Sequence, residues 1–436
     1  MRFIDLFAGL GGFHKALSEL GHTCVFSSEI NPELKQLYFE NWGIKAHGDI
    51  IEIVENNISK IPDHDILCAG FPCQPFSQAG KRMGTEDKRG NLFYEIIKIL
   101  KFRKPRFLIL ENVPHLSNHD NKRTINKMKE ELSLLGYDIN TKVYSPIEFG
   151  IPQNRKRIFI VGSLTGLENF SFDLVDENKS SEIDLGKFIS RTFPSSSKLD
   201  SHKIKALEIW QNFLDLIPKS QKLPGFPIWS MEFGADYPTD INPVLLSKQK
   251  LSQYKGSFGI PLASLTKKQQ INLLPNYAKT KTPFPNWKKR YINHNREFYK
   301  AHKNKIDKVL PHIKMLEYET LQKFEWNLGN DERIIKNNFI QFRPSGIRTK
   351  KANYFPSLVC SSTQLPVIGW QNRYITTNEA LKLQSLEGIK LPKSKNPAMK
   401  SLGNAVNSRI VYFILKCLLN SDLNYNSIKP KFELAI

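Results

Sequence analysis

One cysteine of the chain lies on a segment whose composition favours an exposed and reactive thiol. Cys73 stands in the Gly/Pro-rich stretch 70–77, directly after the strand-like apolar run 65–69. A cysteine thiolate is a good nucleophile, but a single cysteine is more often a small buried apolar residue. Cys73 is therefore a candidate nucleophile whose assignment depends on the groups that accompany it.

A carboxylate and two arginines accompany this cysteine further along the chain. Glu111 follows a second apolar run, 107–110, and Arg155 and Arg157 lie in the segment 153–157. Because alternate residues of an extended segment point to the same side, both arginine side chains should reach one site. The alternative for the arginines is a basic strand end that contacts phosphate. A nucleophile, an acid and cations that stabilise negative charge thus follow one another in order.

The elements that must position these groups read as an α/β fold. The strand candidates are Phe3 to Phe7, Cys24 to Ser28, Ile66 to Ala69, Phe107 to Leu110 and Ile158 to Val161. Helical patterns such as 92–100 alternate with them, which predicts a mostly parallel, doubly wound sheet with helices on both faces. Ligands of such sheets bind beyond the carboxyl ends of the strands. We therefore expect Glu29, Asp49, Cys73 and Glu111 to converge on one edge.

A glycine-rich turn after the first strand, 5–12, is suited to bring backbone close to a ligand. It lacks the Gly-x-Gly-x-x-Gly fingerprint of dinucleotide-binding proteins. Glu29, at the end of the second strand, could accept hydrogen bonds from vicinal ribose hydroxyls, and Asp49 could accept one from an adenine amino group. Either acid taken alone is more often a helix cap or a solvated turn residue.

These segments together resemble the cytosine-C5 DNA methyltransferases of bacterial restriction–modification systems. The resemblance rests on motifs in the family's order: Asp5 to Phe13, Glu29, Gly48 to Ile50, Gly70 to Ser77, Glu111 to Val113, Gln153 to Arg157 and Gly403 to Val406. It covers roughly residues 1–163 and 372–420, and the middle of the chain carries no matching motif.

The resemblance implies that the chain binds S-adenosylmethionine and releases S-adenosylhomocysteine. We expect no metal ion, because Cys68 and Cys73 lack His or Cys partners at metal-ligand spacing. Glu29 and Asp49 would hold the adenosine, with Phe7 packing against it. The sequence departs from the family at Ile30, where an aromatic residue often stands. The matching cofactor positions are Phe7, Gly9, Leu10, Gly11, Glu29, Ile30, Asp49, Ile50, Gly70, Pro72, Leu92, Asn404 and Val406.

The resemblance also implies covalent catalysis on cytosine. Carbon 5 is too electron-poor to attack a methyl sulfonium, and addition of the Cys73 thiolate at carbon 6 pushes electrons into the ring. Glu111, with a raised pKa in a closed site, would donate to N3 of the ring. Arg155 would hold the O2 and N3 side, and Arg157 would orient the loop of Cys73. Because these atoms lie inside the duplex stack, the base must be flipped out.

Several polar residues are candidates for contact with DNA. Residues 78–91 have the glycine and charge content of a mobile lid, which we expect to close over the flipped base and carry Cys73 inward. Arg343 to Gly346 and Ser361 to Gln364 are candidate base readers, with a positioning contact to phosphate as the alternative. The predicted DNA-binding residues are Gln74, Ser77, Lys81, Arg82, Arg89 and Arg343.

The charge distribution separates the two halves of the chain. Residues 1–200 carry 26 basic and 26 acidic side chains, whereas residues 201–400 carry 33 basic and 14 acidic ones. A basic half gains affinity for a polyphosphate by displacing condensed counterions. The alternative is a merely solubilising surface, which the interleaved aromatic residues at 287–291 and 296–300 make less favourable.

These patterns predict two domains. We expect residues 1–185 and 400–436 to form the catalytic and cofactor-binding domain, and residues 186–399 to form an irregular, basic target-recognition domain. Within the second part, 204–216 looks amphipathic. The capping-box pattern 376–379 should open a helix, and 410–419 reads as a closing helix that completes the first domain.

Cysteine usage and hydropathy bound the environment of the protein. The five cysteines are scattered, which suits a reducing compartment and argues against a disulfide framework. No run approaches the roughly 18 apolar residues of a membrane span. We expect a soluble, cytoplasmic monomer that acts on double-stranded DNA, and the resemblance adds a cognate restriction endonuclease as a functional partner.

Three other functions were weighed against DNA methylation. The same chemistry on tRNA is the nearest, since some family members use RNA and RNA also attracts basic residues. A catalytically silent nucleic-acid-binding protein should have lost Cys73, Glu111 or Arg155, and all three are present. An NAD-dependent oxidoreductase would need the missing fingerprint and has no use for a basic domain.

Overall fold

The structure is a computed structural model of the chain, and it describes residues 1–72, 92–180, 182–359 and 364–428. The chain divides into two compact units. The first unit is made from Met1–Thr192, Asn353–Ser362 and Thr376–Ile436, and the second from Phe193–Ala352 and Thr363–Ile375.

Strands and helices are numbered in chain order over the described residues. The strands are β1 (Arg2–Leu6), β2 (Thr23–Ser28), β3 (Ile66–Gly70), β4 (Phe107–Asn112), β5 (Asp138–Tyr144), β6 (Gln153–Asn154), β7 (Arg157–Ser163), β8 (Ile228–Trp229), β9 (Lys323–Trp326), β10 (Phe339–Arg343), β11 (Gly346–Lys350), β12 (Phe355–Pro356), β13 (Pro366–Ile368) and β14 (Arg373–Tyr374). The helices are α1 (Gly12–Glu19), α2 (Pro32–Trp42), α3 (Ile50–Asn57), α4 (Leu92–Arg103), α5 (Arg123–Ser133), α6 (Phe172–Asp176), α7 (Ser201–Leu216), α8 (Lys248–Leu251), α9 (Lys267–Asn272), α10 (Asn286–Ile306), α11 (Leu310–Lys314), α12 (Thr377–Leu383), α13 (Lys395–Asn404) and α14 (Ser408–Ile428).

The main sheet of the first unit has the strand order β2-β1-β3-β4-β7-β5. Strands β1 to β4 pair in parallel, whereas β7 runs antiparallel to both β4 and β5. The predicted α/β fold with a mostly parallel sheet is thereby confirmed. Strand β5 is missing from the sequence prediction, because it is a partly exposed edge strand whose polar residues weaken the apolar signal.

Helices cover both faces of this sheet because alternate strand residues point to opposite sides. Ile4 belongs to one apolar cluster with residues of α3, α4 and α5. Phe3 belongs to the other, which contains Leu17 of α1 and Ile414 of α14. The predicted closing helix, 410–419, is thus confirmed as part of the core of the first unit.

The second unit begins and ends at other residues than the expected domain, 186–399. Helix α12 belongs to the first unit, where Glu379 accepts a hydrogen bond from the Ser190 amide at 2.8 Å. Its predicted capping box is confirmed, since the Thr376 hydroxyl accepts from the Glu379 amide and the Glu379 carboxylate accepts from the Thr376 amide. Residues 353–359 also join the first unit, because β12 pairs with β6.

The second unit is built around a mixed sheet in the order β14-β13-β10-β11-β9-β8. The predicted amphipathic stretch 204–216 is confirmed as part of α7, which buries Trp210 and Phe213 against one face of that sheet. Three of the four aromatic residues that interleave with basic residues in α10 pack into the core of the second unit. Tyr299 is buried, and Tyr291 and Phe298 pack against the apolar clusters, although Trp287 stays 48% exposed.

Among the described residues, one helical stretch, Lys395–Asn420, is long and apolar enough to cross a membrane by length and composition alone. Its most apolar window is 61% buried inside the structure, as in the core helix of a soluble protein. The stretch is therefore weak evidence for a membrane span.

Truncation of Ile414 tests whether α14 holds the first unit together. Ile414 is fully buried, so we expect Ile414→Ala to lower the free energy of unfolding by about 2–5 kcal/mol, measured by urea denaturation. The control Leu134→Ala removes a leucine that is 77% exposed and should change it by less than about 0.5 kcal/mol. Equal effects would contradict the role of α14 in the core.

Candidate active site

A cavity of about 1070 Å³ lies at the carboxyl ends of the parallel strands of the first unit. Each of the four strands contributes at its end, through Phe7 after β1, Glu29 after β2, Gly70 at the end of β3 and Glu111 near the end of β4. Crossover connections leave a crevice at this edge of a parallel sheet. The predicted convergence of Glu29, Asp49 and Glu111 is therefore observed.

The glycine turn between β1 and α1 forms one wall of this cavity. Phe7, Gly9 and Gly11 all have positive φ angles, of 57°, 53° and 82°. A Cβ added at Gly9 would meet only the Phe7 carbonyl oxygen, at 3.9 Å. Gly9 therefore leaves the backbone open toward the cavity, and its conformation is one that glycine adopts without strain.

Gly11 is the one predicted cofactor residue that does not line the cavity. Its Cβ would lie 2.3 Å from Nε1 of Trp42, the last residue of α2. The same indole nitrogen donates to the Leu10 carbonyl at 3.3 Å. Gly11 is thus required for packing, because the absence of a side chain there lets Trp42 of α2 pack directly against the glycine turn.

A buried polar cluster of Asp5, His14 and Tyr38 lies beside Trp42. The Tyr38 hydroxyl donates to Asp5 at 3.1 Å and lies 2.7 Å from Nδ1 of His14, whose ring stacks on Trp42. Burial raises the pKa of Asp5 well above its usual value and lowers the pKa of His14 to about 4. Hydrogen bonds inside such a cluster offset the cost of removing these groups from water.

Glu29 holds the cavity wall and keeps acceptor capacity for a ligand. Its Oε2 accepts from the Gly9 amide at 2.9 Å, and its Oε1 accepts from the Asn31 amide at 2.8 Å. Each carboxylate oxygen has two lone pairs, so one further acceptor position remains on each. The side chain is only partly buried, at the lip of the cavity.

Asp49 is the N-cap of α3, where its Oδ1 accepts from the Ile51 amide at 2.9 Å. The alternative considered from the sequence, a helix cap, is therefore part of its role. Asp49 and Ile50 also line the cavity, so the cap does not exclude contact with a ligand.

Glu111 and Arg157 form an ion pair at the floor of the cavity. Nε of Arg157 lies 2.9 Å from Oε1 of Glu111, whose residue is 7% exposed. Burial raises the pKa of Glu111 above its usual value, because desolvation outweighs the opposing charges of Arg157 and Arg155. The carboxyl group is therefore poised to hold and give a proton.

The residue after Glu111 anchors the chain segment that leads to the predicted nucleophile. Nδ2 of Asn112 donates to the Phe71 carbonyl at 3.0 Å, and Asn112 is buried. Pro72, the next residue, lies at the cavity. Cys73 follows it directly in the sequence, and residues 73–91, with Gln74, Ser77, Lys81, Arg82 and Arg89, lie outside the described residues.

Arg155 joins three segments that are distant in sequence. It is 3% exposed, and its guanidinium donates to the Leu358 carbonyl and to the Ala405 carbonyl, each at 3.1 Å. Its side chain also lines the cavity, as does that of Arg157. The expectation that both arginines reach one site is met, and Arg155 additionally fixes the C-terminal wall.

The C-terminal segment closes the cavity by tight contact with two glycines. A Cβ at Gly12 would lie 2.4 Å from the Val406 carbonyl oxygen, and one at Gly70 would lie 3.0 Å from Cγ2 of Val406. Any larger side chain at Gly12 would therefore push the segment 403–406 away. The sequence analysis did not single out Gly12, although it lies inside the glycine-rich motif.

The sequence motifs located most of this site, but they did not include Asn31, Glu33 and Leu34 at the start of α2 or one wall formed by α13. Apart from Gly11, every predicted cofactor residue lines the cavity, as do Glu111, Arg155 and Arg157, whereas Arg343 lies in the second unit. The missed wall is the stretch of α13 ahead of the matched glycine, and its members are Asn396, Pro397, Lys400 and Ser401. Their position directly before Gly403 to Val406 was the available signal.

Comparison with known proteins gives a consistent result. The family model described as C-5 cytosine-specific DNA methylase matches residues 1–420. The chain is 45% identical over 174 residues to the Type II methyltransferase M.HhaI of Haemophilus parahaemolyticus, which is 39% of this chain and 52% of that protein. It is 51% identical over 159 residues to the Type II methyltransferase M.NgoBI of Neisseria gonorrhoeae, which is 36% of this chain and 49% of that protein. The chain thus spans about half the length of these curated relatives.

A solved structure with the same fold is the Dnmt2 methyltransferase of S. pombe. The match has a TM-score of 0.52 at 15% identity and covers 97% of this chain and 99% of that one. At this identity the likeness concerns the fold alone.

A substitution at Gly11 tests the support of the glycine turn by Trp42. Gly11→Ala must adopt a left-handed conformation and also displace the indole, so we expect it to cost about 1–3 kcal/mol more stability than Gly21→Ala. Gly21 is the matched control, since its φ is +78° and a Cβ there would meet nothing within 4 Å. Urea denaturation of both variants measures the difference, and equal losses would contradict the clash.

The raised pKa of Glu111 predicts how stability depends on pH. Because the folded protein binds this proton more tightly than the unfolded chain, the charged carboxylate costs stability as pH rises through the folded-state pKa. Glu111→Gln should therefore match wild type near pH 4 and become the more stable protein toward about pH 8, by about 1.4 kcal/mol for each unit of pKa shift. Urea midpoints across this range measure it, with the exposed Glu130→Gln as control. A difference that stays constant or reverses sign would refute the raised pKa.

Proposed function

Because the chain belongs to the C-5 cytosine-specific DNA methylase family, we propose that it transfers a methyl group from S-adenosylmethionine to carbon 5 of a cytosine in a specific sequence of duplex DNA. The observation that carries this proposal is one cavity that combines two kinds of group. Glu29 and Asp49, which can accept hydrogen bonds from an adenosine, line it together with the buried acid Glu111 and its partner Arg157.

The cavity residues fit S-adenosylmethionine, which the family uses. Glu29 keeps acceptor positions for the ribose hydroxyls, and Asp49, beside the buried Ile50, offers an acceptor for the adenine amino group. Gly9 leaves the backbone open, and Phe7 supplies an apolar ring at the wall. When bound, S-adenosylmethionine supplies an electrophilic methyl group to carbon 5 of the base.

The protein's own residues activate the cytosine in this proposal. The Cys73 thiolate adds to carbon 6, and Glu111 in its protonated form donates to N3 as electrons move into the ring. The raised pKa of Glu111 supports this role, since burial shifts the balance of the carboxyl group toward its protonated form. After carbon 5 carries the methyl group and N3 has returned its proton to Glu111, a solvent water removes the carbon-5 proton. The electrons of that C–H bond form the double bond between carbons 5 and 6 and expel the Cys73 thiolate.

The two arginines act differently in this scheme. Arg157 orients Glu111 through the contact of its Nε with Oε1 at 2.9 Å, which is an ion pair while the acid is charged and a hydrogen bond once it is protonated. Arg155 supplies fixed positive charge to the O2 side of the ring, and its bonds to the Leu358 and Ala405 carbonyls hold it in place. Asn112 positions the residues immediately ahead of Cys73 by its bond to the Phe71 carbonyl.

The second unit would provide the sequence-reading surface of the enzyme. Most of the excess positive charge of the chain lies in residues 201–400, as a phosphate-contacting unit requires. In this proposal Gln74, Ser77, Lys81, Arg82, Arg89 and Arg343 contact DNA, and the segment 78–91 closes over the flipped base. We further infer that the protein works as a cytoplasmic monomer and protects DNA from a cognate restriction endonuclease.

The proposed reaction is tested by transfer of labelled methyl from S-adenosylmethionine to mixed-sequence duplex DNA. We expect label in 5-methylcytosine with wild type and none with Cys73→Ser, because serine is too weak a nucleophile to add to carbon 6. Cys417→Ser is the matched control, since Cys417 lies in α14 away from the cavity and should leave the rate unchanged. Bisulfite sequencing of the product identifies the target sequence.

Two results would reject this function. Label on tRNA and none on duplex DNA would show the same chemistry on RNA. Undiminished transfer by Cys73→Ser would exclude Cys73 as the nucleophile.

A further inference from the structure

The sheet of the second unit packs one face against α7, and a group of charged residues lies on the other face where β9, β10 and β11 pair. Phe324, Phe342 and Ile347 belong to the apolar cluster that packs against α7. Strand residues alternate between faces, so their neighbours in sequence point to the opposite side. That opposite face carries Glu325 of β9, Arg343 of β10, and Arg348 and Lys350 of β11.

Glu325 holds two of these cations side by side. Its Oε2 lies 2.6 Å from Nη2 of Arg343, and its Oε1 lies 2.7 Å from Nη2 of Arg348. Arg348 is directly opposite Glu325 in the register of β11 with β9. One carboxylate, with each oxygen on a different guanidinium, therefore fixes the separation and direction of both arginines.

This group has more positive charge than its own acid can neutralise. The side chains of Arg343, Glu325 and Arg348 are only 17%, 16% and 28% exposed. Burial and the nearby arginine charges lower the pKa of Arg343 and of Lys350. Three cations thus share one carboxylate in a partly desolvated place, where an added anion would relieve their repulsion.

Hydrogen-bond donors also remain on the paired arginines. Each arginine uses only Nη2 in its ion pair with Glu325, and each side chain keeps some exposure to solvent. The Nε atoms are buried and have no hydrogen-bond partner among the described residues, so an incoming anion meets the other terminal nitrogen of each guanidinium first. An arginine side chain presents its donors in a planar fork that matches the oxygens of a phosphate group. Both guanidiniums can therefore bind an anion while each keeps one nitrogen on Glu325.

We propose that Arg343 and Arg348, held by Glu325 as a positioning residue, form a clamp for one phosphate of the DNA backbone. The proposal rests on the function proposed above and extends it by adding Arg348, positioned by Glu325, to the residues that contact DNA. A phosphate is favoured over a base edge because only the phosphate carries a negative charge. That charge would neutralise the positive charge of Arg343, Arg348 and Lys350 that Glu325 leaves unbalanced. The clamp fixes the position of the second unit along the backbone and leaves sequence reading to other residues.

The test compares DNA affinity as a function of salt for four full-length proteins. Fluorescence anisotropy measures binding to two duplexes between about 50 and 200 mM salt. One duplex contains the target sequence that bisulfite sequencing identifies, and the other contains the same bases in scrambled order. The proteins are wild type, Arg348→Gln, Glu325→Gln and Lys351→Gln. Lys351 is the matched control, because it is the cation directly after β11 but is 63% exposed and pairs with Asp331 at 3.0 Å.

For Arg348→Gln we expect about tenfold weaker binding to both duplexes, and a slope of log affinity against log salt that is smaller by about 0.9. Glu325→Gln makes the protein more positive, so charge alone would tighten binding, whereas loss of the clamp geometry should weaken it about threefold or more. Lys351→Gln should keep the wild-type slope. S-adenosylhomocysteine affinity, which reports on the first unit, should stay unchanged in all variants. Melting temperatures should stay unchanged in Arg348→Gln and Lys351→Gln, whereas Glu325→Gln should melt lower, because it leaves two partly buried arginines without their acid. Affinities are therefore measured well below the melting temperature of Glu325→Gln.

Three outcomes would overturn the clamp. A change in preference between the two duplexes with Arg348→Gln would make it a base reader. Tighter binding by Glu325→Gln would leave the arginines as diffuse charge without positioning. Wild-type salt slopes in Arg348→Gln, with methyl transfer to DNA intact, would reject the clamp alone, whereas a wild-type protein that neither binds nor methylates DNA would reject the proposed function as well.

Discussion

The candidate active site depends on the return of the C-terminal segment 403–406 to the glycine turn near the N-terminus. Gly12 and Gly70 leave room for Val406 and no more, and the guanidinium of Arg155 holds the neighbouring Ala405 carbonyl at 3.1 Å. These contacts join segments that lie hundreds of residues apart in the sequence. Without them the cavity would lose one wall, and the ends of the parallel strands would open to solvent. The helix α14 that follows is buried against α1, so the energy of the core maintains this closure.

The chemistry of the site follows from a balance between burial and charge at Glu111. Desolvation alone would neutralise the carboxyl group, and an ion pair alone would keep it charged. Here Arg157 contacts one oxygen while the protein interior surrounds the residue, and burial has the larger effect on the pKa. In the proposed reaction, an acid whose protonated form is favoured by burial donates to the ring nitrogen. The acids nearer the lip, Glu29 and Asp49, meet the solvent and instead organise backbone amides.

The charged group of the second unit also depends on a balance between burial and charge, and it involves more residues. The sheet of this unit buries one face against α7 and gathers cations around Glu325 on the other. Positive charge that remains after such pairing is directed, because the paired carboxylate limits where the guanidiniums can point. A diffuse basic surface would attract DNA equally well but would not fix its register.

The sequence by itself determined the parallel sheet, the glycine turn and the acids at the strand ends. Local signals carry these features, since strand-like apolar runs alternate with helical patterns and functional residues follow the strands directly. The edge strand β5 escaped because its polar residues give little apolar contrast. Only the tertiary structure decided that Gly11 serves Trp42 packing, that Arg155 binds the Leu358 and Ala405 carbonyls, and that α12 belongs with the first unit. Each of these depends on contacts between residues far apart in the chain, which no local pattern encodes, because the free energy of a close approach is set by both partners at once.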